Sequence, residues 1–292
     1  MKAAAQIYEA FCLVADEGSF TKAATYMGYS QSAISRMVAD LERECGVTLF
    51  ERSRAGVQIT AAGTALLPAA RAIVSAHRDF ASRADELRGL ASGLIRIGTF
   101  SSVATHWLPK IIAAFQSDYP GIDYELFLGG YAEIEDALAA GRIDCAFSRL
   151  PVHGPFNAEP LAEDELLAIL PEDHPLVRQT SVSVNQLACE PYIRLARDEN
   201  DEAAEVFAGL VGPPVSHFTT WDDYAVMSMV ESGLGVSILP SLIMKRTPYR
   251  VVERPLEPRA YHAIGFLTCK VTAPMLAVEK FREYLDYRDE SD

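Results

Sequence analysis

The chain has 292 residues, 49% of them hydrophobic and 23% charged, with a formal net charge of −14 at pH 7. That length exceeds one typical domain, and the composition is ordinary for a soluble globular protein. The acidity argues against a generic nucleic-acid binder, and no apolar run approaches the ~20 residues that span a bilayer.

The acid is unevenly spread. Residues 1–60 hold six Lys/Arg against seven Asp/Glu, whereas 94–292 hold 16 against 30. Five scattered cysteines (Cys12, Cys45, Cys145, Cys189, Cys269) form no Cys-x-x-Cys motif, so reduced thiols in a cytoplasm are expected. A redox pair would need two of them in one mobile segment. The start of the chain has one Lys, no unbroken apolar core and no small-residue cleavage site, so no signal peptide is expected.

In residues 5–17, Ile7, Ala10, Phe11 and Val14 share one helical stripe, and Gly18 closes the helix. Ser19 or Thr21 can cap the next helix, roughly Thr21 to Met27, which ends at Gly28. A third helix over Ser30–Glu44 has Ala33, Ile34, Met37, Val38 and Leu41 on its apolar side. Its first two turns otherwise carry Gln31, Ser32, Ser35 and Arg36, with no carboxylate before Asp40. Base edges in a major groove offer paired acceptors, or a donor beside an acceptor, so such short and forked hydrogen-bonding groups suit them. Two helices joined through a glycine, the second bearing this face, predict a helix-turn-helix. Two β-prone runs follow, Val47–Phe50 and Val57–Ile59, flanking Glu51-Arg52-Ser53-Arg54-Ala55-Gly56. That is a hairpin with a basic tip, in which Arg52 and Arg54 can reach phosphates or the minor groove; the alternative is a solvated loop.

Thr60 caps a long helix to about Leu87–Leu90. Leu66, Ala70, Ile73, His77, Phe80, Ala84 and Leu87 form a heptad seam too narrow for a globular core, which predicts pairing with a second copy. Pro68 should kink that helix or free one carbonyl, and His77 is expected to be packed. Ala91-Ser92-Gly93 marks a hinge.

Beyond the hinge, strands and helices alternate. Strands are expected at 94–99, 122–128, 143–147, 166–170, 192–195, 215–219 and 235–239. Helices are expected at 102–117, 131–140, 201–210 and 221–232. Repeated units of this kind predict a mainly parallel sheet in two small lobes with a ligand cleft between them.

No catalytic motif is present: there is no Gly-x-Ser-x-Gly elbow, phosphate loop or His-Glu-x-x-His. Gly233-Leu234-Gly235 lacks the third glycine of a dinucleotide fingerprint and follows a helix instead of opening one. The six histidines have no metal-ligand spacing, and no metal or other cofactor is expected. What remains is a binding cleft. Ser101 and Ser102 open a helix whose free N–H groups favour an anion, unless they only cap it. Gly129, Gly130 and Tyr131 repeat that geometry after the next strand. Arg149 at a strand end can clamp a carboxylate or pair with an acid, and Trp221 can wall the cleft or simply pack.

These features resemble a known family, the LysR-type transcriptional regulators. The resemblance is carried by Phe11-x-x-Val14-Ala15-Asp16-Glu17-Gly18-Ser19-Phe20-Thr21-Lys22-Ala23-Ala24 and Ser30-Gln31-Ser32-Ala33-Ile34-Ser35-Arg36. It continues through Leu41-Glu42-x-x-x-Gly46-Val47-x-Leu49-Phe50-Glu51-Arg52 and Ile59-Thr60-x-Ala62-Gly63. A looser match covers Ile95–Gly98, Pro171-x-x-His174-Pro175-Leu176 and Gly233-x-Gly235-Val236-x-x-Leu239-Pro240. It implies an α/β fold overall: a winged helix-turn-helix over 1–60, a linker and dimerisation helix over 61–90, and a two-lobed effector-binding domain over 91–292. That last domain is similar to type 2 periplasmic-binding proteins. The resemblance implies a cytoplasmic homodimer or homotetramer on pseudopalindromic double-stranded DNA, modulated by a small-molecule inducer, expected here to be an anionic metabolite. RNA polymerase is a further partner if the outcome is activation; no membrane is involved.

The DNA-binding role then falls on Thr21, Lys22, Ser30, Gln31, Ser32, Ser35, Arg36, Arg52 and Arg54. Effector contact falls on Ser101, Ser102, Gly130, Tyr131, Arg149 and Trp221, and pairing on Leu66, Ile73, His77, Phe80 and Leu87. The competing reading is an α/β solute-binding or enzymatic protein with an incidental DNA-binding appendage.

Overall fold

A computed structural model describes residues 2–53, 56–86, 92–196, 202–208, 210, 214–271 and 274–289. The chain separates into two compact units, Met1–Gly89 and Leu90–Asp292.

The first unit holds α1 (Lys2–Glu17), α2 (Phe20–Met27) and α3 (Gln31–Cys45), then β1 (Phe50–Ser53), β2 (Gly56–Ile59) and α4 (Ala61–Glu86). Ala10, Phe11 and Val14 of α1 are buried against Ile34, Val38 and Leu41 of α3. Burial of each large side chain stabilises the unit by about 1.5–3 kcal/mol. Phe50 locks the hairpin onto this core, edge-on to Phe11 at 5.5 Å and Phe20 at 5.8 Å. Gly18, Gly28 and Gly46 adopt the left-handed conformation where the three helices stop. Ser19 caps α2 by accepting from the Lys22 N–H, so Thr21, the alternative cap, lies inside the helix.

The hairpin is shorter than expected. Val47, Thr48 and Leu49 are not strand, because the Glu42 carboxylate accepts the Leu49 and Phe50 N–H groups at 2.7 and 3.2 Å. Thr60 then opens α4: its hydroxyl donates to the Thr48 carbonyl and accepts from the Gly63 N–H. α4 runs through Pro68 as one helix and belongs to this unit. Ala70 and Val74 are buried against α1, and Arg71 and Arg78 pair with Asp16 and Glu9.

The second unit holds β3 (Gly93–Thr99), α5 (Ser101–His106), α6 (Leu108–Asp118), β4 (Ile122–Leu128), α7 (Tyr131–Ala139), β5 (Cys145–Leu150) and β6 (Phe156–Pro171). There follow β7 (Val182–Ser183), α8 (Val184–Leu187), β8 (Tyr192–Leu195), α9 (Glu202–Phe207), β9 (Ser216–Thr220) and α10 (Asp223–Glu231). β10 (Ser237–Pro240), α11 (Ser241–Met244), β11 (Val251–Cys269) and α12 (Leu276–Arg282) complete it. The helix expected over 102–117 is two, broken at Trp107, because Pro109 has no N–H to continue the first and its ring crowds the preceding turn.

The principal sheet has the order β10-β6-β11-β5-β3-β4, with β7 beside β11. β3 pairs in parallel with β4 and β5, but β6–β11, β11–β5 and β10–β6 are antiparallel. The sheet is therefore mixed, which corrects the mainly parallel one expected. The cause is the long pair β6 and β11, which runs through both lobes. One lobe packs around Phe115, Phe147, Phe266 and Phe281. The other packs around Leu187, Tyr192 and Phe207 on one side and Ile169, Met227 and Leu239 on the other. α11 straddles them: Leu242 sits in the first lobe's core, Ile243 and Met244 in the second's. Gly235 serves packing, since a Cβ there would lie 2.4 Å from the Pro191 carbonyl oxygen.

Gly63 decides how closely α4 meets the hairpin, because a Cβ there would lie 2.5 Å from the Leu49 carbonyl oxygen and 2.6 Å from Ile59 Cγ1. Helix propensity alone favours Gly63→Ala by about 1 kcal/mol, whereas the clash with fixed backbone costs about 1–3 kcal/mol. Denaturant unfolding of Gly63→Ala should show net destabilisation. A variant more stable than the natural chain would refute this packing.

Candidate functional site

The first candidate surface is the start of α3. Gln31, Ser32 and Arg36 are exposed and Ser35 is half-buried, on a helix whose opposite side is anchored by Ile34, Val38 and Leu41. Ser30 is exposed, but its hydroxyl is engaged, accepting from the Ala33 N–H and hydrogen-bonded to the Ser32 hydroxyl at 2.9 Å. Thr21 and Lys22 are exposed on α2, with Lys22 3.3 Å from Glu17. The first acid on α3, Asp40, pairs with Arg43 at 2.7 Å, beyond the polar turns. Exposed Tyr26 and Tyr29 flank this surface, a signal that apolar periodicity could not supply. Arg52 lies on β1; its side chain, and the whole of Arg54, lie outside the described residues.

On α4, Leu66, Ile73 and Phe80 stand one heptad apart and are 37, 42 and 59% exposed. His77 is half-buried beside them, and Leu87 lies outside the described residues. Ala70 does not belong to this stripe, because it faces α1.

The second unit brings three expected residues together. Ser101, Gly130 and Trp221 line one cavity of about 250 Å³ with Leu128, Gly129 and Glu133. Strand-to-helix junctions put them there: Ser101 opens α5 after β3, Gly129–Gly130 precede α7 after β4, and Trp221 follows β9. Ser102 is buried and does not line it. Glu133 was not foreseen, although it stands where a helix-capping acid would, and its carboxylate accepts the Gly130 N–H at 3.1 Å. That N–H, expected to be open to a ligand, is therefore engaged.

Tyr131 and Arg149 join a second cluster. α9 buries Ala203 and Phe207 in the second lobe's core and extends Glu202 and Glu205 toward the first lobe. The Tyr131 hydroxyl donates to Glu202 at 2.6 Å, and Arg149 pairs with Glu205. Glu202 also meets His262 Nδ1, while His262 Nε2 lies 3.4 Å from Asp164. Asp164 accepts from the Ser241 hydroxyl and the Leu242 N–H, which ties the cluster to α11. Burial alone pushes the His262 imidazole down, but Glu202 and Asp164 outweigh it and hold it up to about 9. Burial pushes Glu202 up, and His262, Tyr131 and Arg149 more than offset that, leaving its carboxyl below the usual range. None of these acids, nor His262, was legible as a site: Glu202 and His262 are 60 residues apart, Asp164 and His262 98.

An exposed polar helix face on a winged helix-turn-helix, joined in sequence to a two-lobed unit with a small-molecule cavity, defines a ligand-responsive DNA-binding regulator. Residues 6–64 match the bacterial regulatory helix-turn-helix protein, lysR family, and residues 88–289 match the LysR substrate binding domain. The chain belongs to the LysR family of transcriptional regulators. It is 30% identical to the probable HTH-type transcriptional regulator LrrA of Synechococcus elongatus, over 94% of this chain and 92% of that protein. Its fold is similar to full-length OxyR from Pseudomonas aeruginosa (TM-score 0.74, 22% identity, 96% of this chain and 94% of that one). It is likewise similar to full-length CbnR complexed with its target DNA (TM-score 0.65, 23% identity, 97% of this chain and 99% of that one). The chain is a transcriptional regulator with an effector-binding domain, which sets aside the enzymatic and solute-binding reading.

The sign of the pH dependence follows from the bridge. The raised His262 value contributes stability fully below about pH 6.5, its ordinary value, and loses it as pH rises through about 9. The lowered Glu202 value contributes above 4.5 and is lost as pH falls through its folded value. Calorimetric melting of the full chain should therefore show stability declining from pH 6.5 to 9, by at most about 1.4 kcal/mol per pH unit for this one proton. His262→Gln should flatten the decline. An unchanged slope in that variant would remove the bridge.

Proposed function

We propose that this regulator reads its operator with Gln31, Ser32, Ser35 and Arg36 in a major groove. Thr21, Lys22 and Ser30 lie along the groove edge, and Arg52 and Arg54 on the wing contact backbone or minor groove. The observation that carries this is the acid-free exposed face at the start of α3, on a helix whose other side is locked in the core. CbnR, of similar fold, was solved on its target DNA, which supports the reading. The uncovered stripe of Leu66, Ile73 and Phe80, with His77 and Leu87 on the same seam, supports a homodimer through α4, and a homotetramer by pairing of dimers. We assign the protein to the cytoplasm, where its DNA is; among the described residues no helix is long and apolar enough to cross a membrane.

The inducer is a small metabolite that occupies the cavity at Ser101, Gly130 and Trp221, next to Tyr131 and Arg149. An anionic group on it would take Arg149 in exchange for Glu205, whose side chain is 64% exposed. Ser102 is buried and does not line that cavity, so we leave it out of the proposed contacts.

In gel shifts of the full chain on its own upstream DNA, Arg36→Ala should weaken binding about tenfold or more, as expected for one bidentate base contact of about 1–3 kcal/mol. Arg52→Ala should weaken binding evenly across sequences, whereas Ser32 and Ser35 changes should alter sequence preference. Undiminished binding by Arg36→Ala would overturn the recognition-helix assignment.

A further inference from the structure

We propose that Tyr29, in the turn between α2 and α3, is a further base-reading residue whose ring packs on the methyl group of a thymine, and that the Tyr26 hydroxyl on α2 hydrogen-bonds a neighbouring phosphate. This rests on the assignment of α3 as the recognition helix, and adds an apolar contact that its polar face does not supply.

The turn is fixed by its own backbone. Gly28, in the left-handed conformation, donates to the Thr25 carbonyl at 3.3 Å, and the Tyr29 N–H donates to the Ala24 carbonyl at 2.9 Å. That pair of bonds ends α2 and sets the path of the chain into α3. Tyr29 is therefore the second residue past α2 and the residue before Ser30, the N-cap of α3. Both positions ordinarily turn an apolar side chain inward, onto the helix just ended and onto the fourth residue of the next. Here those inward partners, Ala24 and Ile34, are buried in the first unit's core, yet Tyr29 stays 40% exposed.

Tyr26 is 68% exposed, one turn after Lys22 on the same outer face of α2. Among the described residues of α1, α2, α3 and their turns, Tyr26 and Tyr29 are the exposed large apolar side chains. In a helix-turn-helix the first helix crosses the DNA backbone and the start of the second enters the groove. That geometry brings Tyr26 to phosphates and Tyr29, beside Ser30 and Gln31, to base edges.

Charge makes such contacts useful. Residues 1–60 hold six Lys/Arg against seven Asp/Glu, and two of those bases, Lys22 and Arg43, lie within ion-pair distance of Glu17 and Asp40. A unit with so few cations gains less from phosphate charge and draws more of its affinity from uncharged groups. Tyrosine supplies two of them: an apolar ring that can cover a thymine methyl, and a hydroxyl that can donate to a phosphate oxygen.

The test measures affinity of the full chain for its own upstream DNA, made with thymine or with uracil in its place, which removes only the methyl groups. The natural chain should bind the uracil duplex more weakly, by about fourfold for each methyl lost from contact. Tyr29→Ser should weaken binding to thymine DNA and shrink that uracil penalty at least about twofold, whereas Tyr29→Phe should keep the penalty. Tyr26→Phe should weaken binding to both duplexes alike, about twofold or more, with the salt dependence unchanged. Thermal melting checks that each variant folds. A natural chain indifferent to uracil, or an equal penalty in folded Tyr29→Ser, would overturn the role of Tyr29, and undiminished binding by Tyr26→Phe that of Tyr26. Unchanged DNA affinity in both variants with loss of transcriptional response would overturn both and assign the pair to a protein partner. Undiminished binding by Arg36→Ala is a separate result: it removes the recognition-helix assignment itself, and this proposal with it.

Discussion

The effector-binding unit depends on two long antiparallel strands that face a buried charge. In the β6–β11 register His262 stands directly opposite Asp164, in the middle of the strands that run through both lobes. Taking an imidazolium and a carboxylate out of water is costly, and the arrangement holds only because each has further partners. Asp164 is satisfied by Ser241 and the Leu242 N–H, and His262 by Glu202, which in turn accepts from Tyr131. The strand pair, α11 and α9 are thus one polar network. Removing one member would leave the others as uncompensated buried charges, so the network acts as a unit.

This network gives the cleft its character. A cavity at strand-to-helix junctions is the place where a ligand would sit, yet two of the groups that might have received it are already held by acids of this chain. Glu133 holds the Gly130 N–H and Glu205 holds Arg149. A ligand that used the Gly130 N–H or Arg149 would have to displace Glu133 or Glu205.

The first unit was legible almost throughout, because its signals are local. Gly18, Ser19, Ser30 and Gly46 mark helix ends by conformation and capping, and Ile34, Val38 and Leu41 mark the buried side by spacing. The long strands were not. Residues 156–165 include Pro160 and several acids, and 251–262 include Pro255, Pro258 and alternating charges, which read locally as loop. They become strands because each supplies the other's register, a non-local cause. The cavity residues Ser101, Gly130 and Trp221 were visible because they follow strands. Asp164, Glu202 and His262 were not, because only the fold brings them together. On the heptad seam Leu66, Ile73 and Phe80 are uncovered in the single chain, while Ala70 turns inward because α4 also has α1 to cover.

A near-neutral DNA-binding unit on an acidic chain is reconciled by where its acids sit. Glu9, Asp16, Glu17 and Asp40 are each paired with a base, and none lies on the first two turns of α3. The account of the second unit rests on His262 holding α9 against the first lobe, and hydrogen exchange of the full chain measures that contact directly. Amides within residues 202–208 should exchange several-fold faster in His262→Gln than in the natural chain, with the β3 and β5 amides unchanged. Equal exchange across 202–208 in both proteins would contradict it.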